Sequence, residues 1–220
     1  MALQFAPKPL PDDVTKTVPH ALRGFSSFNA APEDLQEMLR ESAEGRGHAW
    51  RVFTLGVADV LEGGKGLDGA HPGGWRIAAR SGEDVIAGDI YTGNTARVQS
   101  NIVEAGPPRL ACIRRGEEVL KMFNTIQLLP ELSRSIDIPE QSFYLHLLLL
   151  PGLVTDSLWL QPQGPTEKVS YVVPFNTLMK KFDEERVSTS TRFIQIVRPI
   201  AEHWRRYREQ QTYRPFERDH

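Results

Sequence analysis

The sequence predicts an α+β domain, a mostly antiparallel β-sheet with helices packed against it. Three observations indicate this class. The most apolar stretches of the chain lie between Phe143 and Phe175, and turn and loop residues divide them into short segments. Segments before and after this block have the periodicity of amphipathic helices. With 220 residues, 40% of them hydrophobic and 25% charged, the chain can bury one full core.

The central block is predicted to form three strands. Residues 143–150 carry apolar side chains on both faces, which is typical of a strand covered on both sides. A stretch of eight residues ended by Pro151-Gly152 has the length of a strand and is far shorter than the roughly 20 residues that span a bilayer. Leu153–Leu160 and Val169–Val173 follow as further strands. Because the turn that Pro-Gly favours twists against a tight hairpin, a wider loop or bulge is expected there.

Composition predicts the domain organisation. Residues 1–28 contain four prolines and dispersed phenylalanines, and are predicted to form an extended N-terminal arm. Residues 29–210 are predicted to form a single α+β domain, and residues 211–220 a polar C-terminal tail. The first helix of the domain is expected to begin at Pro32, which acidic residues follow in the first turn.

The segments between that helix and the central block alternate between strands and breaks. Apolar alternation predicts strands at residues 49–61, 75–80, 85–91 and 96–103. The prolines at 107 and 108 favour a helix that runs to about Leu128. Gly116 leaves an alternative open, in which a short strand and a break precede a helix from Glu117.

Two more helices are predicted after the central block. The first covers residues 176–186 and shows a short apolar stripe. The second follows the possible capping residues 188–191. Its apolar stripe continues to Trp204 and Tyr207.

Several functional classes lack support in the sequence. One cysteine, Cys112, excludes an internal disulfide and a cysteine-based zinc site. The six histidines show no metal-binding spacing, so no metal and no cofactor is expected. Gly63-Gly64-Lys65-Gly66 departs from the phosphate-binding loop pattern and favours a flexible loop. A net charge of −2 gives no reason to expect nucleic-acid binding. No signal peptide is recognisable, so the cytoplasm is the expected location.

Two side chains are candidates for nucleophilic chemistry. His146 lies in the middle of the most apolar strand, where a neutral imidazole with a hydrogen-bond partner is the ordinary structural explanation. Cys112 could meet His146 in space as nucleophile and base, although no local motif supports this pair.

Two carboxylates within strands, Asp89 and Asp156, are the other candidates. If they met across the sheet, one pKa could be raised for acid–base work. The structural alternatives are a carboxylate that points to solvent and one that pairs with an arginine, for which the sequence offers Arg76, Arg80 and Arg97.

Both ends of the chain carry candidate contacts to a protein partner. Phenylalanines are dispersed along the N-terminal arm, and arginines alternate with aromatic residues near the C-terminus. The acidic residues between those arginines favour a solvated helix face or a protein contact over nucleic acid. The residues predicted to contact a partner are Phe25, Phe28, Arg205, Arg206, Arg208, Tyr213, Arg214 and Phe216.

Three motifs carry a resemblance. They are Glu104-Ala105-Gly106-Pro107, Leu150-Pro151-Gly152-Leu153 and Leu158-Trp159-Leu160. Their pattern, Glu-x-Gly-Pro followed by Leu-Pro-Gly-Leu and Leu-Trp-Leu, resembles one in a family of uncharacterised bacterial proteins. The resemblance covers about the middle third of the chain. It implies the sheet and carries no activity.

The predicted function is that of a non-enzymatic interaction or scaffold protein, because no catalytic or cofactor motif is recognisable. One alternative is a small hydrolase-like enzyme with a pocket near His146, Cys112 and Asp156, which would require these side chains to converge at a concave surface. Another is a ligand-binding α+β domain with an apolar cavity lined by Trp159 and Phe123.

Overall fold

The structure, a computed structural model, describes residues 4–6, 8–62, 66–92, 107–135, 138, 141–164 and 169–212. The strands are β1 (Gln4–Ala6), β2 (His48–Thr54), β3 (His71–Ser81), β4 (Asp84–Tyr91), β5 (Arg109–Arg115), β6 (Ser142–Leu150), β7 (Thr155–Pro162), β8 (Tyr171–Thr177) and β9 (Ser188–Thr189). The helices are α1 (Asp12–Ala21), α2 (Ser26–Asn29), α3 (Glu33–Ala43), α4 (Val57–Glu62), α5 (Glu117–Ser135), α6 (Lys181–Glu184) and α7 (Ser190–Thr212).

The described strands form one mixed sheet in the order β5-β4-β3-β2-β6-β7-β8-β9. Neighbouring strands are antiparallel except along one edge of β6, where β1 and β2 both pair with it in parallel. β1 occupies the first residues of that edge and β2 the last. The α+β class and the mostly antiparallel sheet are therefore confirmed, whereas the sheet as a whole is mixed.

Strand β6 is central because both of its faces are covered. Leu147 is buried in a core that includes residues of α5, and Leu148 is buried in a core on the other side that includes residues of α7. We call these sides the α5 face and the opposite face. The predicted strands over residues 143–175 are confirmed as β6, β7 and β8, and the apolar residues on both faces of β6 account for this position.

Helices cover the two faces unequally. On the α5 face, one long helix packs across the sheet from β4 to β8. On the opposite face, α1, α2 and α3 cover β3 and β4, while α4, α6 and α7 cover the half that contains β6, β7 and β8. The single helix α5 leaves space beside its N-terminus, where the candidate site lies.

The prediction of an extended arm over residues 1–28 is wrong for most of that segment. Asp12–Ala21 is α-helical, and Val14, Val18 and Leu22 are buried against α3 and the sheet. Their i, i+4 spacing places them on one helical face. Pro11 precedes the first helical residue, where a missing N–H costs nothing.

Other boundaries also differ from the predictions. The strand expected over residues 49–61 ends at Thr54, and α4 follows it. The helix expected from residue 107 is instead the alternative of a strand, a break and a helix from Glu117, and Gly116 makes the break with a φ of +90°. Of the helix expected over residues 176–186, only Lys181–Glu184 is α-helical. The strand predicted at residues 96–103 lies outside the described residues.

The connection between β6 and β7 is a 3₁₀ turn over Pro151–Leu153 followed by Val154. A loop wider than a two-residue turn was expected here, but the positive φ falls on Val154 and not on Gly152. Among the described residues, no helix is both long and apolar enough to cross a membrane.

Candidate functional site

A buried arginine stands at the centre of the candidate site. β3 and β4 are antiparallel, and their register sets Arg76 opposite Asp89. Arg76 is only 1% exposed. Its Nε donates to Asp89 Oδ1 at 2.6 Å, and its Nη2 donates to Asp89 Oδ2 at 3.1 Å. This two-bond contact holds one edge of the guanidinium against the carboxylate.

Asp89 also serves a second arginine and the cysteine. Arg114 on β5 donates from Nε to Asp89 Oδ2 at 2.7 Å, and Cys112 Sγ lies 3.5 Å from the same oxygen. Burial alone would raise the pKa of Asp89, but the hydrogen bonds and charges of the two arginines outweigh it and hold this pKa below its usual range. Asp89 is therefore a fixed anion between two cations.

The third guanidinium nitrogen of Arg76 does not bond to Asp89. Its Nη1 is buried and has no hydrogen-bond partner within the described part of the chain. Burial would lower the pKa of Arg76, but hydrogen bonding to Asp89 and the charge of that carboxylate raise it, so the guanidinium stays charged. Buried N–H groups are almost always paired in native proteins. A buried charged donor without a partner therefore points to a binding function.

Arg76 lines a cleft of about 260 Å³ on the α5 face. Its walls come from β3, β5, the first turn of α5, the β6–β7 connection and the adjoining ends of β6, β7 and β8. The lining residues are Arg76, Arg114, Glu118, Leu149, Pro151, Val154, Asp156 and Asn176. Five of these side chains are polar or charged and three are apolar.

Asp156 lines the same cleft as Arg76. Burial raises the pKa of Asp156, and the neighbouring Glu118 adds to the rise, while Asn176 and Arg76 act in the other direction. Asn176 Nδ2 donates to Asp156 Oδ2 at 3.3 Å. Because the raised pKa favours the neutral acid, Asp156 can donate a proton or a hydrogen bond where Asp89 cannot.

Val154 lines the cleft and has a strained backbone conformation. Its φ of 48° and ψ of 52° lie in the left-handed region. That region costs an L-residue roughly 1–2 kcal/mol, and a β-branched residue there is an outlier. Its side chain is nevertheless 52% exposed, so core packing does not explain the choice of valine. Such strain clusters at functional sites.

Three of the four sequence candidates meet in this region. Asp89 contacts Cys112, and Asp156 lines the same cleft as the arginine that binds Asp89. The pairing of Asp89 with Arg76, one of the structural alternatives, is observed. Burial and the charge of Asp89 raise the pKa of the Cys112 thiol, which disfavours the nucleophilic thiolate.

His146 does not join them. It lies on the opposite face, where the rings of Phe53, Trp159 and Tyr144 have centroids 5.0, 5.8 and 6.2 Å from its own. Its Nε2 donates to Gln161 Oε1 at 3.1 Å. The expected pairing of Cys112 with His146, and with it the pocket near His146, Cys112 and Asp156, is wrong, because the sheet separates the two side chains.

The apolar cavity expected between Trp159 and Phe123 is also wrong. Phe123 belongs to the core of the α5 face and Trp159 to that of the opposite face, so the sheet lies between them. Sequence reasoning missed Arg114, Glu118 and Asn176 because the elements that carry them come together only in the fold.

The predicted partner contacts have mixed positions. Phe28 is buried, at 1% exposed, and Phe25 is half-buried against the same core, so neither offers an exposed surface. Arg205, Arg206 and Arg208 are exposed on α7. Tyr213, Arg214 and Phe216 lie outside the described residues. A partner contact at the C-terminal end stays a prediction.

Neither metal-site geometry nor similarity to known proteins assigns a function to the cleft. No group of three or more His, Cys, Asp and Glu side chains in the described ranges has the arrangement of a metal site. Compared with protein-family models, curated proteins and solved structures, the chain matches none. The resemblance to a bacterial family therefore stays a prediction.

Proposed function

We propose that this protein binds a small molecule that carries an anionic oxygen, and that Arg76 holds this group in the cleft. The observation that carries the proposal is the buried Nη1 of Arg76, which has no partner among the described residues and belongs to a cleft-lining side chain. A guanidinium is the preferred protein group for planar recognition of oxyanions. Asp89 already occupies one edge of the group, so its orientation is set before a ligand arrives.

The charges around the cleft balance when Asp156 is protonated. Arg76 and Arg114 contribute two positive charges, and Asp89 and Glu118 two negative ones. Asp156, whose pKa is raised, adds no charge in its neutral form. A single negative charge on the ligand can then be accommodated against the arginines, and Asp156, when it is protonated, can donate a hydrogen bond to it.

The experiment is a ligand titration on the full chain with acetate, benzoate and inorganic phosphate as probes. Isothermal titration calorimetry on the wild type should detect at least one of them, and Arg76→Lys should lose it by tenfold or more, because lysine cannot hold Asp89 and present a second fixed donor. Arg80→Lys is the matched control. Arg80 lies on the same strand and face but bonds to Asn124 and Gln127, outside the cleft.

A second variant keeps the test decisive if Arg76→Lys is poorly folded. Asp156→Asn removes a carboxyl that repels an anion when ionised, so binding should tighten at pH 8 and lose its pH dependence. In the wild type, binding should strengthen as the pH falls through the pKa of Asp156. Equal binding of every probe by wild type, Arg76→Lys and Asp156→Asn would contradict the proposal.

A protein partner at the C-terminal helix is the second candidate. The observation that favours it is an exposed aromatic pair on α7, Trp204 and Tyr207, with ring centroids 6.0 Å apart and side chains 41% and 48% exposed. The arginines at 205, 206 and 208 favour an acidic partner. Trp204→Ala together with Arg205→Glu should reduce recovery of such a partner in co-purification, and unchanged recovery would exclude this surface.

A further inference from the structure

We propose that the ligand is a monocarboxylic acid with a short apolar group, whose carboxylate contacts Arg76 and whose apolar group packs against Leu149, Pro151 and Val154. This inference depends on the proposed function, since it names the class of molecule that the same cleft takes. It adds a specific requirement for the apolar wall, which oxyanion binding alone does not need.

The electrostatics favour a monoanion over a dianion. Arg76 has one nitrogen left for a ligand, because Nε and Nη2 both donate to Asp89. Arg114 is likewise engaged, through Nε with Asp89 and through Nη1 with Glu118 at 3.4 Å. The carboxyl groups of Glu118 and Asp156 line the same cleft. A phosphate dianion would bring two negative charges close to these two carboxyl groups, whereas a carboxylate brings one.

The apolar residues of the cleft are accessible. Leu149, the next-to-last residue of β6, has a half-buried side chain. Pro151 in the 3₁₀ turn and Val154 after it are exposed, and both line the cleft. Binding pockets commonly combine such apolar walls with a few polar groups that orient the ligand. The charged side chains would orient the carboxylate, and the apolar side chains would contact the hydrocarbon part.

The residue type at position 154 separately supports an apolar group on the ligand. A left-handed position is normally filled by glycine or asparagine, whose conformational cost there is small. This chain has valine, with an exposed side chain that lines the cleft. The valine is unfavourable for the backbone and gains little from core burial, so its apolar surface in the cleft is what accounts for it.

The volume limits the size of the ligand. At about 260 Å³, and with about 30 Å³ for each water in the liquid, the cleft holds on the order of nine water-sized groups. A carboxylate with roughly four to six further carbons fits this space. Hexanoate is therefore a suitable probe, and acetate is its head-group control.

The test compares hexanoate and acetate on the wild type, Val154→Asn and Arg76→Lys by isothermal titration calorimetry. Asparagine tolerates the left-handed conformation, so Val154→Asn should fold at least as stably as the wild type. It should bind hexanoate about tenfold more weakly, the smallest effect expected from a lost apolar contact, while acetate binding stays unchanged. Val169→Asn is the matched control, since Val169 is an exposed valine outside the cleft.

The outcomes separate the two proposals. If Val154→Asn leaves the ratio of hexanoate to acetate affinity unchanged while Arg76→Lys loses both ligands, the apolar wall is irrelevant and only the oxyanion site stands. If the wild type binds phosphate through Arg76 and neither carboxylate, the monocarboxylic acid is the wrong class. If Arg76→Lys binds every probe as the wild type does, both proposals fail. Val154→Gly serves as the second variant should the asparagine variant not fold.

Discussion

Two buried polar centres, on opposite faces of the same sheet, can be compared directly. One is Arg76 on β3, which pairs with Asp89 on the α5 face. The other is His146 on β6, which pairs with Gln161 on the opposite face. Both side chains are almost fully buried, and both have one nitrogen without a partner in the described residues. By burial and hydrogen bonding alone, the two centres look alike.

They differ in charge and in access. Burial lowers the pKa of His146 to about 4, and Lys8 and Arg51 contribute to the decrease, so the imidazole is neutral at physiological pH. Aromatic rings surround it, and it does not line the cleft. Arg76 keeps its charge and borders a cleft. A neutral acceptor nitrogen among aromatic rings costs far less than a charged donor without an acceptor.

An apolar sequence context alone therefore does not distinguish a site residue from a core residue. His146 was a candidate for nucleophilic chemistry because it lies among leucines, and the structure places it in the core of the opposite face. Arg76 lies between Trp75 and Ile77 in a strand that reads as an ordinary amphipathic one, yet its face is covered by α5. Arg76 differs because it keeps its charge while one of its nitrogens has no hydrogen-bond partner in the described residues.

The largest expected effect is on the Arg76 centre. Arg76→Met should lower the free energy of unfolding by about 3–5 kcal/mol, because Asp89 then remains buried with one of its two arginines gone. Urea denaturation of the variant and of Arg80→Met, the control on the same strand, would measure this. The double variant Arg76→Met/Asp89→Leu should recover most of the loss, since an apolar pair can replace a buried ion pair. A single variant as stable as the wild type would mean that Asp89 does not depend on Arg76.

The next effect concerns His146 and pH. The folded protein holds the pKa of His146 at about 4, against 6.5 for the unfolded chain. Between these values the unfolded state binds a proton that the folded state does not. Stability should therefore be full above pH 6.5 and fall as the pH decreases towards 4, by up to roughly 3 kcal/mol from this residue.

A comparison of variants isolates that contribution. Asp156 acts in the opposite direction in the same pH range, because a raised pKa in the folded state adds stability on acidification. Chemical denaturation of wild type and His146→Gln at pH 7, 5.5 and 4.5 would cancel the part that both proteins share. If the two proteins lose stability equally on acidification, His146 is not the buried neutral base described here.

The smallest effect is expected at Cys112. Cys112→Ala should change stability by less than about 1 kcal/mol, since the side chain is half-buried and its contact with Asp89 is secondary to those of the arginines. Iodoacetamide should alkylate Cys112 more slowly in the folded protein than in urea, because burial and Asp89 raise the thiol pKa. Faster alkylation in the folded protein would instead mark Cys112 as an activated thiol.

The sequence predicted those parts of the fold that local patterns determine. Apolar residues on both faces of residues 143–150 were sufficient for a central strand, and Gly116 signalled the boundary between β5 and α5. The N-terminal helix was missed because the prolines of this segment outweighed the spacing of Val14 and Val18, although Pro11 precedes the helix and Pro19 lies within its last turn.

The cleft could not be predicted in the same way. Its residues come from separate elements, and their proximity depends on strand order and on the bulge between Asp89 and Ile90. The left-handed conformation of Val154 could not be predicted, because turn preferences describe single positions and not how the connection between β6 and β7 packs against the sheet.

The shared edge of β6 has a kinetic consequence. The strand that pairs with its last residues, β2, comes from a distant part of the chain, and β1 is more distant still. Neither parallel pairing can form until a long loop has closed, which slows the search for the native state. Refolding should therefore be slow for a domain of this size, and the amides of β6 should be among the last to exchange with deuterium, since exposing them requires both halves of the sheet to separate.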